Sequence, residues 1–111
     1  VSAIEQIPAA RALMAIVVTC GDLPAPELAI RNLVFNGLDD KPTVEWGVEI
    51  SLHGGLPHFE QWRGALGFDP ADVDHAERHD LGWLTVTARY AGIPVRLIGY
   101  YDPYSDQEQA S

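Results

Sequence analysis

From Asp69 to Asp80 the chain runs Asp-Pro-Ala-Asp-Val-Asp-His-Ala-Glu-Arg-His-Asp, a dense run of side chains able to bind a metal or move a proton. Asp69-Pro70 has the form of a helix start, an N-cap acid followed by proline at the first helical position. A helix from Pro70 to about His79 would bring Asp72, His75 and His79 onto one face, at i, i+3 and i+7. Two histidines one turn apart have metal-ligand spacing, and a carboxylate one turn earlier adds a third ligand. The cofactor such a site would take is a divalent ion. The same residues also describe a solvated helix with acids gathered at its positive end. His53 and His58 flank Gly54-Gly55 and read as strand-end and loop polarity.

A second group is spread along the chain. Arg31, Glu45, Glu49, Arg89 and Arg96, with Thr85 and Thr87, fall at polar positions between apolar residues. On a sheet they would share the wet face. Glutamates and arginines there form cross-strand ion pairs, or a polar platform whose guanidinium forks meet a partner or an anionic ligand. A third group is apolar or aromatic. Leu13 and Val17 lie in a helix that is apolar nearly all round, and Tyr100, Tyr101 and Tyr104 cluster near Asp102-Pro103. Both are candidate contacts with a second subunit. Trp46, Trp62, Trp83, Phe59 and Tyr90 are read as core aromatics.

Recognised catalytic patterns are missing. No glycine loop has phosphate-cradling spacing, there is no His-Glu-x-x-His, and no Gly-x-Ser-x-Gly elbow. Cys20 is the single cysteine, so no intrachain disulfide forms and a reducing, cytoplasmic setting is expected. Its ordinary reading is a small buried hydrophobe at a helix end.

The elements that must position these groups follow from periodicity. Ser2 and Glu5 have capping-box spacing, and Pro8 to Cys20 reads as a helix stopped by Gly21. Leu28 to Phe35 fits either period and is read as a strand because Asn36-Gly37 follows. From Thr43 to His53, Val44, Trp46, Val48, Ile50 and Leu52 alternate with polar residues or glycine, the clearest strand in the chain. Pro57 to Leu66 reads as a helix with Phe59, Trp62 and Leu66 on one stripe. Trp83 to Tyr90 and Ile93 to Tyr101 form a hairpin about Ala91-Gly92.

The expected fold is α+β: two helix–strand–strand units (αββαββ) forming a four-stranded antiparallel sheet with the helices on one face. Residues 1–104 make one domain, and 105–111 form a polar C-terminal tail. This element order resembles that of homing endonucleases of the LAGLIDADG type. In those enzymes an acid before the glycine that ends the helix binds metal; here Cys20 precedes Gly21, so the resemblance covers layout alone.

Composition bounds the function. The 111 residues carry 16 acids against 7 basic side chains, a net charge of −9, with 47% hydrophobic content. That is a single globular domain. The charge argues against nucleic acid and anionic membrane as partners. The longest apolar stretch, Ala9 to Val18, is too short to span a bilayer. The expected function is that of a small acidic interaction or accessory domain working through protein–protein contacts, without a cofactor, and self-associating. The alternatives are a metal-binding protein using Asp72, His75 and His79, and an acidic decoy that mimics DNA.

Overall fold

The computed structural model describes residues 2–36 and 41–102. A short 3-10 turn, Ala3–Gln6, leads into α1 (Ile7–Thr19), which Pro8 opens at its first turn. The Ser2 side chain makes no capping bond; its backbone carbonyl accepts from the Glu5 N–H at 3.1 Å instead. The buried stripe of α1 is Ala9, Ala12 and Ile16, continued by Cys20 at the C-cap. Burial pushes the Cys20 thiol pKa up, as expected of an inert buried thiol. Two alanines in that stripe let the helix lie close on the sheet.

The chain then forms β1 (Glu27–Asn36) and β2 (Pro42–Leu52), an antiparallel pair running from Glu27↔Ser51 to Asn36↔Pro42. The segment 28–35 is therefore a strand, in agreement with the turn signal after it. Next comes α2 (Leu56–Leu66), closed by Gly67 in the left-handed conformation at φ 75°. The Arg63 guanidinium seals this end by donating to the Phe68 carbonyl at 2.6 Å.

The segment expected to be a third helix, Pro70 to His79, is not one. Asp69 does cap it, accepting from the Ala71 N–H at 2.9 Å, but the 3-10 turn ends at Asp72 and Val73 is extended. Residues 74–78 instead form β3 (Asp74–Arg78), paired antiparallel to β4 (Leu81–Tyr90). His79, at φ 54°, and Asp80 make the turn between them. Asp, Val and His are weak helix formers, so a ladder of hydrogen bonds to β4 outweighs local propensity. The last strand, β5 (Ile93–Tyr101), pairs antiparallel with β4 and parallel with β2.

Among the described residues the sheet therefore has five strands in the order β1-β2-β5-β4-β3, and it is mixed. The α+β class holds; the four-stranded, purely antiparallel arrangement does not. The reason is connectivity. The chain crosses from β2 through α2, β3 and β4 before β5 returns beside β2 in the same direction. Val48, Ile50 and Leu52 of β2, with Val95 and Leu97 of β5 and Val86 of β4, face both helices in one core. Phe59 of α2 lies directly over Gly99, whose missing side chain makes room for it. No helix among the described residues is long and apolar enough to cross a membrane.

Candidate functional site

Strand alternation that turns Val48, Val95 and Val86 toward the helices turns their neighbours to the other, uncovered face. Register then assembles that face. Arg96 pairs in the ladder with Glu49 on one side and Thr87 on the other, and Trp83 stands opposite Tyr100. The five charged residues expected on the wet face, Arg31, Glu45, Glu49, Arg89 and Arg96, are brought together there with Thr85 and Thr87.

Their chemistry is internal pairing. Arg89 grips Glu45 with both terminal nitrogens, at 2.6 and 3.3 Å, and donates to the Gly92 carbonyl at 3.0 Å. Glu49 is 3.4 Å from Arg31 and 4.0 Å from Arg96. Leu33 fills the space over Gly47 and is fully buried. This half of the face is held by ion pairs between its own side chains. The hydrogen bond from Arg89 holds the Glu45 carboxyl below its ordinary pKa. Such a pair adds stability that is fully present above the unfolded-state pKa and is lost as pH falls through the lower folded-state value. Both side chains are more than a third exposed, so solvent screening keeps the effect below about 1 kcal/mol. Glu45→Gln is expected to cost that amount in urea unfolding at neutral pH, with the difference from wild type shrinking as pH falls below the ordinary carboxylate range.

The other half differs. Over β3, β4 and β5 the face sinks into a depression of about 780 Å³. Its floor is Trp83, Ile98 and Tyr100, and its rim carries Asp74, Arg78 and Asp80. The expectation that Trp83 is a core aromatic is corrected here. Leu84, Val86 and Ala88 take the helix-facing phase of β4, which leaves Trp83 on the open face with Thr85 and Thr87. The alternation itself carried that signal. Tyr100 is held flat by His53, with ring centroids 4.9 Å apart and planes 8° apart. Among the described residues, Asp74, Arg78 and Asp80 make no ion pair or side-chain hydrogen bond.

The other expected site residues are dispersed. With no helix over 70–79, Asp72 lies in the 3-10 turn, His75 is on β3, and His79 lines the open-face depression. The metal-ligand spacing is lost with the helix, and no group of three potential ligands forms among the described residues. His75 shares the Tyr101 hydroxyl, which also donates to Glu77 at 2.9 Å. Tyr101 is buried on the helix side over Gly82, so it is not a free contact surface. Leu13 packs partly against the core, whereas Val17 is exposed. Tyr104 lies outside the described residues. Compared with protein-family models, curated proteins and solved structures, the chain matches none of them.

Proposed function

We propose that this chain is a small acidic interaction domain that acts through protein–protein contacts, with the uncovered sheet face as its docking surface, and that it also self-associates through α1. The depression on the open face carries the first part. A sheet face kept only for solubility presents polar side chains to water. Here Leu81, Trp83, Ile98 and Tyr100 interrupt it beside the guanidinium groups of Arg78 and Arg96. Tryptophan, tyrosine and arginine are the residue types that concentrate binding energy at protein interfaces. Cys20, a lone buried thiol, supports a reducing, cytoplasmic setting.

Self-association is supported by α1. Opposite its buried stripe it exposes Ile7, Val17, Met14 at 62% and Val18 at 75%. A contiguous apolar stripe of this kind is costly to leave in water. Sedimentation equilibrium of the wild-type chain is expected to show a dimer. Met14→Asp combined with Val18→Asp is expected to weaken it at least about tenfold without unfolding the protein, because both side chains lie outside the core. A wild-type chain that stays monomeric at high concentration rules out self-association and leaves the sheet-face reading standing.

A further inference from the structure

Resting on the interaction-domain reading, we infer that the occupant of the open-face depression is a basic polypeptide segment, which places an arginine or lysine side chain over Trp83 and Tyr100 and pairs it with Asp74 and Asp80. The aromatic floor is pre-set for a cation. Trp83 and Tyr100 are cross-strand partners, and the His53 ring fixes the plane of Tyr100. A guanidinium or ammonium group over such faces is attracted by their π-electron density.

The charges around the floor point the same way. Among the described residues Asp74 and Asp80 have no cationic partner, so both carboxylates are free to meet one. Of the two arginines lining the depression, Arg96 already lies 4.0 Å from Glu49. Arg78 is the one arginine of the lining without an ion pair among the described residues, and it stands against two unpaired carboxylates. An anionic occupant would meet Asp74 and Asp80 together. At longer range the chain's net charge of −9 draws in basic partners and repels acidic ones. Arg78 at the rim then favours a segment whose basic residue is followed by an acidic or neutral one over an unbroken polybasic run.

The test is a titration of the ¹⁵N-labelled 111-residue chain with two capped pentapeptides, Gly-Gly-Arg-Gly-Gly and Gly-Gly-Glu-Gly-Gly, followed through the Trp83 indole N–H resonance. The arginine peptide is expected to shift it saturably and the glutamate peptide to leave it in place. Trp83→Ala should weaken binding about tenfold, as should Asp74→Asn combined with Asp80→Asn. Trp83→Phe should retain part of the affinity. Asp22→Asn, remote from this face in sequence and absent from the depression, should change nothing. Binding of the glutamate peptide at Trp83 overturns the basic occupant but keeps the face as a docking surface. Arginine-peptide shifts spread evenly over the acidic surface, and unchanged in the Asp74/Asp80 variant, overturn the inference. Failure of both peptides, with no shift at Trp83, Ile98 or Tyr100, overturns the inference and the docking-surface reading together.

Discussion

Trp62→Ala is expected to lower the unfolding free energy by about 3–5 kcal/mol, a large share of the roughly 5–15 kcal/mol that holds a domain of this size. Trp62 is 2% exposed and is among the largest side chains of the core. It lies one turn beyond Phe59 and one before Leu66, so its loss opens a cavity along the whole buried stripe of α2. It also has a second role. Its Nε1–H donates to the Pro24 carbonyl at 2.9 Å, tying the proline-rich link between α1 and β1 to α2. Trp62→Phe separates the two roles. It keeps most of the volume and leaves the Pro24 carbonyl unsatisfied, at a cost of about 1–3 kcal/mol. Urea unfolding of both variants measures the split. A loss under about 1 kcal/mol for Trp62→Ala would mean that α2 does not depend on this residue for its place on the sheet.

Gly47→Val is the second large effect, through crowding rather than a void. A Cβ at position 47 would lie 2.4 Å from the Pro94 carbonyl oxygen and 2.8 Å from Leu33 Cδ1. The first of these is backbone and cannot rotate away. The clash falls one residue before the Val48↔Val95 contact, where β5 begins to run beside β2. Overpacking at such a point is expected to cost about 3 kcal/mol or more, because strand separation must widen to relieve it. Amide exchange is expected to accelerate at Val48, Ile50, Val95 and Leu97, while the β1–β2 ladder away from position 47, from Val34↔Val44 to Asn36↔Pro42, changes less. Equal protection across the sheet in variant and wild type would show that the neighbouring chain yields without cost.

How far these elements can be read from the sequence depends on how local their causes are. The alternation from Val44 to Leu52 sets β2 and its two faces without reference to the rest of the chain. It also places Glu45 and Glu49 on the wet side, where the register then supplies arginines. β3 is the opposite case. Asp69 and Pro70 start a turn as their types require, but nothing in Asp74-His75-Ala76-Glu77-Arg78 favours one period. Only pairing with β4 across the His79-Asp80 turn decides it. Helix α1 fails in a third way. With apolar residues on every side, its periodicity cannot say which face is buried. The small residues Ala9 and Ala12 go inward, and Met14 and Val18 stay out. The floor of the depression combines a readable part, the phase of Trp83, with an unreadable one, the rim acids carried by β3 and its turn.

The parallel contact between β2 and β5 also sets the order in which the sheet can be finished. The β1–β2 and β4–β5 pairs each join strands that are neighbours in sequence and need no help from the other. Joining them requires Val48 to find Val95 across nearly half the chain, with the entropy of that large loop lost before any contact repays it. Folding is therefore expected to end at this seam, after two half-sheets whose inner edges, β2 and β5, are both unpaired. Those edges fit each other equally well within one molecule or between two. At high concentration the competing product expected is an exchanged dimer, in which the first half of one copy completes the second half of another.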